Sequence, residues 1–328
     1  MQAFIPLLSF PICVSWEEIM TTSRFTAKEG RDYWLNIMIS CAPEREDEIR
    51  GLWHKYSPAV EIENSNASRL TASPKGLRID IKTPEVYWLI VFTGWKALEI
   101  YGPLVAYSSI SGMPIAEVLA RDSELQCMEH DYRACMRTAH EYKNSRDVNS
   151  IPWPPDIPKP SENRFMIDDA QYRFTFDLAC SALGFTLFHE FYHIVLLSEG
   201  RCPNDIREEE MLCDVWARNF LTAKVSEYAA PRQLDFNQVL ERRSMGAVLS
   251  ALIIFEMTPS WAHGGTKEYF SVRDRITALF SNTSLPTGCH FWNFASAVLI
   301  GMCRSKSIQF APPPMTAKAL AEHLLQLI

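Results

Sequence analysis

The stretch FTLFHEFYHIVLL, residues 185–197, carries two histidines and a glutamate through an otherwise apolar run. A helix this apolar must pack away from water, and polar groups taken inward with it need partners there. On a helix, positions i and i+4 share a face, so the imidazoles of His189 and His193 can reach one ion. Glu190 sits about 100° round from His189, beside such an ion rather than on it. The plainer reading is a pair of core-edge histidines on an amphipathic helix, and the rest of the chain has to choose between the two.

The choice turns on REEEMLCDVWARNFL, residues 207–221. Glu210 and Asp214 are four apart, on one helical face with Ala217 and Leu221. An aspartate between Cys213 and Val215-Trp216 is costly to bury unpartnered. A metal-binding histidine supplies a partner, because its second ring nitrogen usually donates to a carboxylate or carbonyl. Small Ala217 lets this helix approach the first closely, and the short Gly200–Asn204 connection then brings Glu210 to His189 and His193. Two histidines and one carboxylate leave the fourth position of a zinc ion open, the pattern of a catalytic site with one zinc per chain. Glu190 stands where a general base for a zinc-bound water belongs. Periodicity favours Glu210 as the ligand and leaves Glu208 and Glu209 as alternatives. Two of these three acids suit a solvated first helical turn that complements the helix dipole.

The wider pattern predicts an α+β, mainly α-helical fold. Residues 58–82 alternate with period two and read as a small β-meander or hairpin. Thr83 then caps a helix with Pro84 at its first position. Residues 86–107 are interrupted by Lys96, Glu99 and Pro103, which favours a buried helix over a membrane span. A helix is expected from Ile115 to Tyr142, and the proline-rich stretch 151–160 reads as a linker. The expected organisation is an N-terminal lobe over 1–150, the linker, and a helical core over 161–328. In that core Asp168 or Asp169 caps a long helix to Ser198, and Asn204 or Asp205 starts the next, to about Lys224. Further helices are expected over 235–257, 272–281, 289–303 and 317–327, the second opened by a Ser271/Asp274 capping box.

Net charge is −7 and no long basic run exists, so nucleic acid is not an expected partner. Nine scattered cysteines without a CxxC pair point to a reducing, cytoplasmic setting. The apolar start MQAFIPLLSFPICVSWEE lacks the basic n-region of a secretion signal. Cys127, His130, Cys135 and His140 have knuckle-like spacing, but no Gly or Pro turn separates them, so no metal is expected there.

HExxH followed by ExxxD on a second helix resembles the gluzincin metallopeptidases, which implies a compact zincin-like catalytic core. LFHEFYHIVLL with EEEMLCDVWARNFL is most similar to their compact cytoplasmic bacterial branch, first the Lit-type phage-exclusion peptidases and second the ImmA/IrrE-type regulatory peptidases. EYFSVRDRITAL, residues 268–279, resembles the Arg-containing helix that follows the zinc helices in such families, without the usual His-Pro before it. The resemblance implies that His189, His193 and Glu210 bind zinc, Glu190 acts as base and then acid, and Asp214 orients a histidine. It also implies an oxyanion-stabilising Tyr or His, for which Tyr269, His263 and Tyr228 are candidates. The Lit resemblance implies cleavage of a translation factor such as elongation factor Tu, and the ImmA/IrrE resemblance cleavage of a repressor. Rival expectations are a non-catalytic, zinc-stapled interaction protein and a zinc hydrolase acting on non-peptide amides. Recognition or restraint would lie in the first 150 residues.

Overall fold

A computed structural model describes residues 27–160, 167–266, 271–281, 285–310, 313 and 315–328. The N-terminal apolar run and Tyr269 lie outside the described residues. In chain order the elements are α1 (Ala27–Cys41), α2 (Glu46–Tyr56), β1 (Ala59–Glu63), β2 (Leu70–Ser73) and β3 (Gly76–Asp80), then α3 (Thr83–Ser111), α4 (Ile115–Arg121) and α5 (Ser123–Asn144). After the irregular 151–160 stretch come α6 (Ala170–Ser198), α7 (Ile206–Thr222), α8 (Val225–Ala229), α9 (Phe236–Met257), α10 (Val272–Ser281), α11 (His290–Ser305) and α12 (Ala317–Leu324). The fold is α+β and mainly helical, as the sequence implies.

Two 29-residue helices, α3 and α6, run through the interior. Both are long and apolar enough to cross a membrane, and two thirds of each apolar stretch is instead buried inside the protein. Trp88 of α3 stacks on Phe92 and meets Tyr172 and Phe176 of α6 edge-on, which ties the two together. Helices α9 and α7 pack on other sides of α6, and α3 continues against α11 and α5. The 151–160 stretch lies on α3, where Trp88 Nε1 donates to the Pro158 carbonyl at 2.8 Å.

The small sheet is not a three-strand meander, although β2 and β3 do form the hairpin that the alternation also allows. Its order is β1-β3-β2, with β1 parallel and β2 antiparallel to β3. Burial explains the difference: β3 encloses Leu77, Ile79 and Asp80, so it takes the two-sided central place, while β1 exposes Ile62 and keeps an edge. Gly76, at φ +145°, permits the close approach, since a Cβ there would stand 2.0 Å from the Ala59 carbonyl oxygen. Strand β2 forms the other edge and packs on α6.

Two other expectations shift. Thr83 is the first helical residue rather than the cap, and its hydroxyl donates to the Arg69 carbonyl instead. The helix expected from Ile115 to Tyr142 breaks at Asp122, whose carboxylate accepts from the Glu124 and Leu125 amides and so starts a new helix. Within α5, His140 pairs with buried Glu256 at 2.7 Å. Asp169 caps α6, Asp205 caps α7 and Ser271 Oγ accepts from the Asp274 amide, in line with the sequence.

Gly184 lies one and a half turns before His189, at the contact of α6 with α1, where a Cβ would come 2.2 Å from Cys41 Sγ. Gly184→Ala is therefore expected to cost about 1–3 kcal/mol by overpacking. Adding Cys41→Ala should recover part of the loss in denaturant titrations. An unchanged or raised stability for Gly184→Ala would show that the α1–α6 contact is looser than described.

Candidate metal and active site

The site forms where α6 meets α7. Gly200, in the left-handed region at φ +64°, closes α6: its amide donates to Leu197 O and the Arg201 amide to Leu196 O. That pattern is a Schellman end, and it turns the chain back sharply into Asp205 and α7. Ala217, fully buried, allows the close approach that the sequence suggests. Aromatic contacts then fix the relative register of the helices: Tyr192 stacks on Trp216 at 4.6 Å, and Phe188 lies 4.8 Å from Phe220.

With that register, Nε2 of His189 and Nε2 of His193 are 3.2 Å apart. Glu210 Oε2 lies 3.4 Å from the first and Glu210 Oε1 3.4 Å from the second. Among the described residues these three form a group able to hold a metal ion. The outward nitrogens are held by the same helix α7. His193 Nδ1 is 2.6 Å from Glu209 Oε1, and His189 Nδ1 is 2.8 Å from Asp214 Oδ1, close though off the line of an aligned hydrogen bond. Glu208 is exposed. The three candidate acids thus divide: Glu210 faces both inward nitrogens, Glu209 supports His193, and Glu208 meets solvent.

Arg275 of α10 completes the cluster. Its Nε and Nη2 donate to the two Asp214 oxygens at 2.9 Å each, and Nη1 lies 3.1 Å from Glu210 Oε2. Burial alone would raise the Asp214 carboxyl, but Arg275 and His189 outweigh it and hold it at about 2. Burial likewise opposes ionisation of Glu210, and His189, His193 and Arg275 overcome it, keeping its carboxyl well below the usual range. Burial pulls His189 down while Asp214 and Glu210 push it up further, to about 10. Glu190 is displaced upward, chiefly by burial. Asp214, Glu210 and Glu190 thus act on the Arg275 guanidinium, while these acids and Glu209 hold the two imidazoles above their usual range.

The cluster opens into a cleft of about 950 Å³. One wall is residues 68–74, including all of β2, and the other includes Leu197, Ile206 and the turn carrying Trp261, which is 79% exposed. Glu190 Oε2 accepts from the Ala72 amide of β2 at 2.6 Å. Tyr87 of α3 also lines the cleft, its hydroxyl against Thr186 Oγ1 at 3.1 Å, and burial keeps that hydroxyl protonated.

The other candidates stand apart from this arrangement. His263 Nε2 is directed at the carbonyls of Thr258 and Phe255, at 2.9 and 3.1 Å, with its ring against Phe255. Tyr228 is buried beside Arg232 and Arg243. Sequence reasoning named the Arg-containing stretch 268–279 but did not choose Arg275 within it, and it did not single out Tyr87 or Ala72. A signal existed for Arg275, a cation sharing a helical face with buried Val272 and Leu279. None existed for Tyr87 or Ala72, which reach the site only through tertiary packing.

Asp214→Asn keeps the side chain's shape and weakens it as an acceptor for both His189 and Arg275. Metal affinity, read by chelator competition, is expected to fall about 10–100-fold. Unchanged affinity would mean that this buried carboxylate does not support the site.

The Peptidase U49 family profile matches residues 77–295, well over half of the chain and all of α6, α7 and α10. No curated protein and no solved structure matches the chain. The span includes β3 from Leu77 onward, α3 and the two helices that carry the imidazoles and carboxylates, and it leaves out the β2 wall of the cleft. The chain belongs to the Peptidase U49 family, which makes it a peptidase.

Proposed function

We propose that this peptidase is a zinc metalloendopeptidase in which His189, His193 and Glu210 hold the metal and Glu190 is the general base. The observation that carries the reading is the donor cluster: the two Nε2 atoms are 3.2 Å apart, and each lies 3.4 Å from a different oxygen of Glu210. Ligands at about 2.0–2.1 Å on a tetrahedral ion are spaced about 3.3–3.4 Å apart. Two imidazoles and a carboxylate suit zinc, and three protein ligands leave a position for substrate chemistry.

When bound, zinc supplies Lewis-acid polarisation of a scissile carbonyl and acidifies water towards a pKa of about 7. The chain's own part follows from its geometry. Asp214 and Glu209 receive the Nδ1 sides of the two imidazoles, so each Nε2 is left as the metal-facing donor. Arg275 holds Asp214 in place and neutralises part of the acidic cluster. Glu190, at the cleft wall, takes a proton from water and delivers it to the leaving amine. The outer edge of β2 offers main-chain groups to an extended peptide, and the apolar opposite wall, with Trp261, accommodates its side chains.

A peptidase acting inside a cell must be narrow in specificity. In keeping with the resemblance to Lit-type peptidases, the proposed substrate is one intracellular protein, a translation factor such as elongation factor Tu, with a repressor as the alternative. Metal analysis combined with proteome-wide cleavage mapping tests the reading. Wild type and Glu190→Gln should each hold about one zinc per chain, and cleavage products should come from wild type alone. Absence of zinc after reconstitution, or equal cleavage by the two proteins, would refute it.

A further inference from the structure

Strand β2 has one side on β3 and the other on the cleft. The Arg69 carbonyl accepts from the Asp80 amide at 2.9 Å, so residue 69 turns its main-chain groups towards β3. In an antiparallel ladder the direction alternates from residue to residue. Thr71 and Ser73 therefore also face β3, opposite Arg78 and Gly76, while Leu70 and Ala72 face the cleft. Outward groups on an edge strand ordinarily meet water or another strand. The outward amide of Ala72 instead donates to Glu190 Oε2 at 2.6 Å.

A glutamate side chain has three rotatable bonds, and a general base must hold one orientation to act. The α6 backbone fixes only where the Glu190 side chain begins. Strand β2 is rigid by comparison, with Leu70 buried and its inner side paired to β3.

We propose that the Ala72 main-chain N–H is a positioning group for Glu190, holding its carboxylate against the cleft wall beside the His189/His193 pair. The free edge left for an extended peptide is then the N–H and C=O of Leu70 and the C=O of Ala72. Strand β2 thus both aims the base and sets the substrate register. The catalytic consequence rests on the reading of Glu190 as general base; the hydrogen bond does not.

Two arms test this separately. In the first, amide hydrogen exchange is measured at Ala72 in wild type and in Glu190→Ala, chosen because glutamine could still accept. Ala72 is expected to exchange about 10-fold faster or more in the variant, with Thr71 unchanged. Equal exchange at Ala72 would overturn the proposal. In the second, Ala72→Pro removes the donor at an outward edge position where proline is tolerated, with melting and zinc content checked. On a synthetic peptide spanning the bond that proteome-wide cleavage mapping identifies, kcat is expected to fall about 10–100-fold with KM near the wild-type value. A raised KM with unchanged kcat would overturn the proposal by assigning this N–H to substrate. If Ala72→Pro does not fold, the exchange arm decides alone. If wild type cleaves no protein in that mapping, the peptidase reading of the cleft fails, and the exchange arm still decides whether Ala72 holds Glu190.

Discussion

The contact between Asp214, His189 and Arg275 is the constraint on which the rest of the site depends. A carboxylate only 6% exposed needs compensation, and it finds a guanidinium on one side and an imidazole on the other. Through that one side chain, α6, α7 and α10 are held in a single relative arrangement. The same arrangement turns the His189 Nε2 towards His193 and Glu210. Removing either partner of Asp214 would leave a buried charge exposed to its own desolvation cost, so the three helices are coupled electrostatically as well as by packing.

Around this contact the apolar core sets the register. Tyr192 and Phe188 on α6 interlock with Trp216 and Phe220 on α7, on the side of the pair away from the cleft. A shift of one residue along α7 would break the aromatic stacks and put Glu209 or Met211 where Glu210 now faces both imidazoles. Aromatic packing and acid placement are therefore satisfied by one register, the kind of agreement between levels that makes a fold specific.

Much of this was legible in the sequence, because it rests on local periodicity. The i, i+4 pairs His189/His193 and Glu210/Asp214, the caps Asp169 and Asp205 and the turn at Gly200 each lie within one helix or one connection. The less legible parts depend on partners distant in sequence. The order β1-β3-β2 follows from how deeply β3 is buried, which alternation within residues 58–82 does not reveal. The break at Asp122 is a cap inside an otherwise continuous helical pattern, where an exposed acid and a cap look alike. Ala72 reaches Glu190 across 118 positions, and Arg275 reaches Asp214 across 61. Glu209 could be read as a solvated first-turn acid or as a ligand, and its contact with His193 Nδ1 fits neither description.

The central claim is that Glu210, with the two imidazoles, is where a zinc ion sits. Anomalous diffraction at the zinc absorption edge, from crystals grown without chelator, tests it most directly. The account predicts one anomalous peak per chain, about 2.0–2.2 Å from His189 Nε2, His193 Nε2 and a Glu210 carboxylate oxygen. A peak whose carboxylate ligand is Glu209, or no peak at this cluster in zinc-reconstituted protein, would contradict it.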